Sequence, residues 1–296
     1  MTEAHLHSHP GFFSVLVTCA LAGVAVVYAR GWWRLRSALP CAIPVWRLVA
    51  LIAGLLLVWI AVCSPYSRLD HYSLTIHMIN HLVLMLAAAP LVLAGSQVVP
   101  LLLGLPPKFG RGVHSLFLHS SPVQRLSHLF RHPVFCWFCA GGAVIGWHVP
   151  VVFQLALRSH WWHRVEYASF ILAGLLFWLP VMQPEPESHW PRWFIPLYLF
   201  LATLPCDILS AFLAFCDRVV YPSYFSAPGL FHLSPLQDQQ CASALMWVSV
   251  TVAYLLPAAA ITIKILSPCH THSKLQVQGV PGGLASPLSS SQGEMA

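Results

Sequence analysis

Seven unbroken apolar stretches, each close to the length that crosses a hydrocarbon core as a helix, constrain this chain more than any motif in it. A helix needs about 20 apolar residues to span a bilayer, and such runs fall at 12–28, 46–63, 74–93, 134–153, 165–182, 194–215 and 241–266. Only 8% of the residues are charged, against about 25% in a soluble domain. The runs are continuous rather than alternating, which sets aside barrel strands of about ten residues. The expected fold is therefore an all-α integral membrane protein, a bundle of seven transmembrane helices occupying residues 12–266. A His-containing tail precedes it at 1–11, and a tail at 267–296, rich in Ser, Gly and Pro, is expected to be disordered.

Lys and Arg set the expected orientation, because cytoplasmic loops carry their excess. With the N-terminus outside, the inner segments hold Arg30, Arg34, Arg36, Arg47, Lys108, Arg111, Arg125, Arg131, Arg192, Lys264 and Lys274. The outer segments keep Arg68, Arg158, Arg164 and Arg218. The bias predicts an outer N-terminus and a cytoplasmic C-terminus in a multi-pass membrane protein. It also accounts for the net charge of +6 without nucleic acid, for which the chain carries no motif. The first run has no Lys or Arg before it and reads as an uncleaved helix rather than a secretory signal. The basic, mildly amphipathic segment 108–131 suits a helix on an anionic membrane surface, with His114, His119, His128 and His132 as interfacial residues. Most of the nine cysteines fall within the runs, so no disulfide framework is expected. Cys136 and Cys139 form a C-x-x-C read as apolar helix residues, with a redox or metal role as the alternative.

The remaining polar residues test this topology, since Lys and Arg alone built it. His77 and His81 open the third run, His148 ends the fourth, His163 and Glu166 open the fifth, and Asp238, Gln239 and Gln240 open the seventh. All fall at the outer face, together with His5, His7 and His9 of the tail. Ionisable groups at membrane depth are costly and usually face a bundle interior or a site. His77 and His81 stand one turn apart on one helical face and can reach one ion. Met85 continues that face, and Met246 lies below Asp238 on its own helix. Imidazole with thioether favours copper, and imidazole with carboxylate suits zinc as well. The bland alternatives are interfacial histidines, an aromatic belt at Trp147 and a His163–Glu166 hydrogen bond at a helix start. Asp207, inside the sixth run near Pro205, reads as either a buried hydrogen-bonding group or part of an ion path. Pro150, Pro180 and Pro257 read as kinks or ends.

Three blocks, "HMINHLVLMLAAAPLVLAG", "WHVPVVFQLAL" with "HRVEYASFILAGLLFWLPVM", and "LSPLQDQQCASALMWV", resemble the CtaG family of polytopic, caa-type cytochrome c oxidase assembly factors. The resemblance covers about 72–266, with matching positions at His77, His81, His148, His163, Glu166, Asp238, Gln239, Met246 and Trp247. It implies a non-enzymatic protein of the bacterial inner (plasma) membrane, with its N-terminus periplasmic, that assists maturation of a haem–copper oxidase by handling copper. The partners implied are an oxidase subunit in the lipid bilayer and a periplasmic copper chaperone. In the ligand set this suggests, His77, His81, His148 and His163 bind the ion. Met85 or Met246 favours its cuprous state, and Glu166, Asp238 and Gln239 orient the ligands. Haem and zinc are alternative cofactors, and a haem-binding protein, a transporter or a metal-free scaffold are alternative functions. The family is expected to read His-x-x-Glu-His where this chain has Tyr167, which either removes one imidazole or leaves a hydrogen bond in its place.

Overall fold

The computed structural model describes residues 11–39, 43–96, 98–108, 121–183, 190–191, 193–226 and 233–267. The described residues fold as helices and turns: α1 (Phe12–Ala38), α2 (Val45–Cys63), α3 (Leu74–Gly95), α4 (Val98–Gly104), α5 (Ser121–Arg131), α6 (Pro133–His148), α7 (Pro150–Arg158), α8 (His160–Met182), α9 (Phe194–Phe215) and α10 (Pro235–Leu266). Short 3-10 segments at Pro65–His71 and Pro222–Ser226 lie before α3 and between α9 and α10. Among the described residues, six helices are long and apolar enough to cross a membrane, α1, α2, α3, α8, α9 and α10. A bent pair, Gln124–Arg131 with Pro133–His148 at 67°, makes a seventh if its two parts count as one span. The tails expected at 1–11 and 267–296 lie, apart from Gly11 and Ser267, outside the described residues, as do His114 and His119.

The fourth apolar run departs from its expected course. It is not one helix over 134–153, because α6 stops at His148 and α7 begins at Pro150. Proline has no N–H to bond backward and disfavours the helical conformation of the residue before it. Val149 is accordingly extended, with φ −62° and ψ 123°. The break leaves His148 at a helix end, fully inside the bundle. Pro180 and Pro257 are accommodated within α8 and α10. Several helices overrun their apolar runs: α1 continues to Ala38, α8 starts at His160 and α10 at Pro235. In α10 a reciprocal cap explains the early start. The Gln237 N–H donates to Ser234 Oγ (3.2 Å) and the Ser234 N–H to Gln237 Oε1 (2.9 Å), with Pro235 preorganising the first turn.

The main core lies among α3, α6, α8, α9 and α10, and includes Leu84, Met85, Phe153, Phe177, Trp178, Leu199 and Tyr254. A smaller cluster of Tyr28, Trp32, Ile43 and Leu51 fastens α1 and α2, and the Tyr28 hydroxyl donates to the Gly95 carbonyl (2.5 Å). The outward faces are apolar instead of charged, with Val26, Ile208, Phe215, Val248 and Leu256 exposed. A lipid-facing surface requires this, since charged groups there are expensive. Within α3, residues Val83–Ala88 form a π-helical segment just ahead of Pro90. Such widened turns gather at functional positions, and this one holds Met85, whose carbonyl accepts from Trp178 Nε1 (3.0 Å).

Gly174 lets α8 close on that segment. A Cβ there would lie 2.9 Å from Ala89 Cβ and 3.0 Å from Met85 Cα, neither of which is the movable end of a side chain. Gly174→Ala is expected to lower stability by about 1–3 kcal/mol through overpacking, measured by thermal unfolding of the detergent-solubilised protein. An unchanged midpoint would mean that α8 and α3 are not in close contact.

Candidate metal site

Asp238, at the start of α10, fixes the register of α3 by capping its first turn across the bundle. Its Oδ2 accepts the Leu74 N–H (2.7 Å), and its Oδ1 accepts Ser73 Oγ–H (2.9 Å), Thr75 Oγ1–H (2.6 Å) and the Thr75 N–H (3.3 Å). The first N–H groups of a helix have no partner within the helix, and a carboxylate satisfies them with favourable charge. One turn further in, His77 and His81 face α8. Their rings meet edge to face at 4.4 Å between centroids, as their spacing requires. Gln239 is also structural: its Oε1 accepts the Val220 N–H (2.8 Å), and its Nε2 donates to the carbonyls of Leu213 (3.1 Å) and Arg218 (3.2 Å). Asp238 and Gln239, expected to orient imidazoles, instead hold backbone and, for Asp238, the Ser73 and Thr75 hydroxyls as well.

Glu166 of α8 is fully buried and receives three imidazoles. Its Oε1 lies 3.3 Å from His77 Nε2 and 3.4 Å from His81 Nε2, and its Oε2 lies 3.9 Å from His163 Nε2. His163 in turn stands 3.1 Å from Oδ2 of Asp70, an aspartate in the turn before α3. The rings of His77 and His163 stack at 5.8 Å with 14° between planes, and His81 stacks on Phe170 at 3.9 Å. Two triads result, Asp70–His77–His163 and His77–His81–Glu166. Within each, one ligating atom per residue lies within 4.8 Å of the others, and all five residues are buried.

Asp70 was not evident from the sequence as a site residue. Its signal was an aspartate in "SRLDHY", seven residues before His77, but the turn lay outside the apolar runs. The structure buries it completely. Tyr167 donates to its Oδ2 (2.5 Å), Asn80 Nδ2 donates to the same Tyr167 hydroxyl (3.0 Å), and Tyr224 donates to the Asp70 carbonyl (3.0 Å). Tyr167 thus supplies a hydrogen bond that aims a carboxylate, where an imidazole was expected in the family pattern. Burial alone would push the Asp70 carboxyl up, but His163, His77 and the Tyr167 hydroxyl outweigh it and hold it below the usual carboxylate value. Burial lowers His71 below the ordinary imidazole value, against the opposing pull of Asp70.

The donors do not exhaust one another. Asp70 Oδ1, His77 Nδ1, both ring nitrogens of His81, His163 Nε2 and Glu166 Oε2 are buried without a hydrogen-bond partner. Several stand 3.1–3.9 Å from a carboxylate oxygen or an imidazole nitrogen without forming a hydrogen bond. Buried polar atoms are normally satisfied, so this concentration fits a set of ligands for a cation. Imidazole with carboxylate suits a first-row divalent ion such as copper or zinc.

Other residues singled out in the sequence lie elsewhere. His148, Met85 and Met246 line a neighbouring cavity that His81 also borders. Asp207 is half-buried on α9 with Oδ1 lacking a partner. Trp247 is partly exposed on α10. Cys136 is buried and donates to the Phe130 carbonyl (3.1 Å), and Cys139 is only partly buried, which fits their reading as helix residues. His5, His7 and His9 lie outside the described residues.

The model of the cytochrome c oxidase caa3 assembly factor family matches residues 26–267, most of the chain. The protein belongs to this family. The chain is also similar to an uncharacterized protein of Mycobacterium leprae, 22% identical over 84% of this chain and 38% of the relative. A second uncharacterized protein, of Mycobacterium bovis, is 26% identical over 79% of this chain and 36% of its own length, and one of Mycobacterium tuberculosis matches to the same extent. The chain thus spans less than two fifths of the length of these relatives. No solved structure matches. Its long apolar helices make this member of the family a multi-pass membrane protein.

Tyr167→Phe removes the hydroxyl that donates to Asp70 and accepts from Asn80. The variant is expected to fold but to lose about 1–3 kcal/mol, the cost of leaving a buried acceptor unsatisfied, as a lowered thermal midpoint. A midpoint equal to wild type would show that Asp70 is oriented without it.

Proposed function

We propose that this assembly factor holds copper transiently at the five-residue site and releases it to a maturing haem–copper oxidase subunit in the same bilayer. The observation that carries this reading is the pair of buried triads, Asp70–His77–His163 and His77–His81–Glu166, whose unpartnered atoms converge. His77 belongs to both triads and anchors the ion, while His81 and His163 complete the coordination from either side. Asp70 and Glu166 contribute negative charge, and Tyr167 and Asn80 aim Asp70 from behind, as outer hydrogen bonds commonly do in metal sites. The ion enters and leaves by exchange of ligands, so no bond in a substrate is made or broken.

The Lys and Arg bias supports placing the site at the outer face of a bacterial inner membrane, with the N-terminus outside and the C-terminus cytoplasmic. Arg164, beside His163, packs its guanidinium over the Phe13 ring at 4.1 Å. This puts the start of α1 at the same end of the bundle as the site. A periplasmic copper chaperone is the natural donor at that face. An oxidase subunit whose copper site lies at similar depth is the natural acceptor.

The test is elemental analysis of the purified protein, wild type beside His77→Ala/His81→Ala, joined to an oxidase assay in cells that depend on the gene. The double variant is expected to retain at least tenfold less copper and to leave the oxidase inactive. Equal metal content together with full oxidase activity would refute the reading. Asp70→Asn is expected to lower copper retention in the same assay, whereas equal retention would remove Asp70 from the ligand set.

A further inference from the structure

The neighbouring cavity has a chemistry of its own. About 30 Å³ in volume, it is bordered by Met78, His81 and Met85 of α3, His148 of α6, Cys206 of α9 and Met246 of α10. Met78, His81 and Met85 follow one another at three and four residues, so they form one stripe of α3. All six side chains are buried. Three thioethers, two imidazoles and a thiol thus share this small space with five hydrocarbon side chains, among them Leu82 and Val250.

The His148 ring decides how that lining reads. Its Nδ1 lies 2.6 Å from the Val144 carbonyl oxygen, which can only accept, so Nδ1 carries the proton. In the neutral ring Nε2 is then a bare lone pair. It lies 3.3 Å from Met78 Sδ, and a thioether has no proton to give. Two lone pairs facing each other in a buried space do not satisfy one another, but both satisfy a cation placed beside them. Their separation suits neighbouring ligands on one ion, for metal–nitrogen and metal–sulfur bonds of about 2.0 and 2.3 Å. His81, which borders the same space, has no hydrogen-bond partner at either ring nitrogen.

We propose that this cavity is a second metal site, specific for a soft monovalent ion, Cu(I). It is built from Met78 Sδ and His148 Nε2, with Met246 and Met85 as further thioether ligands and His81 shared with the carboxylate-bearing site. Thioether sulfur selects Cu(I) over zinc, calcium and magnesium, which the carboxylate-bearing site alone would not do. The physiological identity of the ion rests on the copper reading given above, whereas the soft site rests on its own lining. Passage between the sites is an exchange of ligands at His81. The ion stays Cu(I), no electron moves, and His148 already presents an unprotonated nitrogen.

Methionine is separated from the cysteines by labelling the full-length protein with selenomethionine. Cu(I) is added without oxygen to the detergent-solubilised protein, and X-ray absorption at the selenium edge reads whether copper neighbours selenium. A copper neighbour is expected in the wild type and is expected to vanish in Met78→Leu/Met85→Leu/Met246→Leu, which keeps volume but removes all three sulfurs. No copper neighbour in the wild type, or one that persists in the triple variant, overturns the proposal. Zn(II) retention, measured by elemental analysis, reports the carboxylate-bearing site and the fold, and is expected to be unchanged in the triple variant. Should that variant not fold, Met78→Leu and Met246→Leu are read singly, each expected to lower the number of selenium neighbours per copper, and an unchanged number in both overturns the proposal. In His77→Ala/Glu166→Gln, Zn(II) is expected to fall at least tenfold while the copper–selenium neighbour stays. Loss of that neighbour here would mean one site instead of two and would overturn the proposal. Failure of Zn(II) and copper to bind at His77 and Glu166, with the selenium neighbour intact, would instead sink the function proposed above.

Discussion

Everything at the His77 end of the bundle depends on one carboxylate that holds two helix starts together. Asp238 sits in the first turn of α10 and accepts the opening N–H groups of α3, so its negative charge is favoured by the positive ends of both helices. The tie has geometric consequences out of proportion to its size. With Leu74 and Thr75 fixed, His77 and His81 can face only α8, where Glu166 and His163 wait at the corresponding depth. Neutral bonds would hold the helices as close, but a shift of one residue on α3 would turn both imidazoles toward a different neighbour.

That arrangement makes the cluster a costly one. Burying carboxylates and imidazoles without full pairing opposes folding, and several atoms here are left unpaired. The compensation lies in the surrounding frame. Tyr167, Asn80 and Tyr224 hold Asp70 from its side chain and its backbone, and Phe153 and Phe170 pack against His77 and His81. The frame is hydrogen-bonded and packed, while several of the atoms it presents inward lack partners. A stable fold therefore coexists with a site whose own members lack partners, which is what a cation-binding site requires before the cation arrives.

Much of this was legible from the sequence, and the gaps have physical causes. The apolar runs located the long helices because helix length and bilayer thickness leave little choice. His77, His81, His163 and Glu166 were legible because ionisable residues stand out against an apolar background. The break at Val149 was obscured by composition, since 134–153 is apolar on both sides of Pro150 and only backbone sterics divide it. Asp70 was missed because it enters from a turn, where an aspartate looks ordinary until Tyr167 and Tyr224 are seen to enclose it. Asp238 and Gln239 were read as partners of imidazoles because their proximity to one face was evident, whereas their backbone partners on α3 and in the 213–220 connection were not.

Met78 is the most instructive omission. It is the second letter of "HMINH", between two histidines that drew notice, and in the sequence it is indistinguishable from any other apolar residue in a membrane helix. Helical geometry gives it a different direction from His77, so that the same five residues face two clusters of side chains. His77 turns to Glu166, Met78 turns to His148, and His81 borders both. A helix that carried only the imidazoles would present one binding face of oxygen and nitrogen. With the thioether one residue on, a single turn of α3 sets imidazole against the Glu166 carboxylate on one side and sulfur against the His148 imidazole on the other. If both proposed sites bind metal, a cation passing from the carboxylates to the thioethers by way of His81 meets progressively softer ligands, and only a soft one gains by the passage.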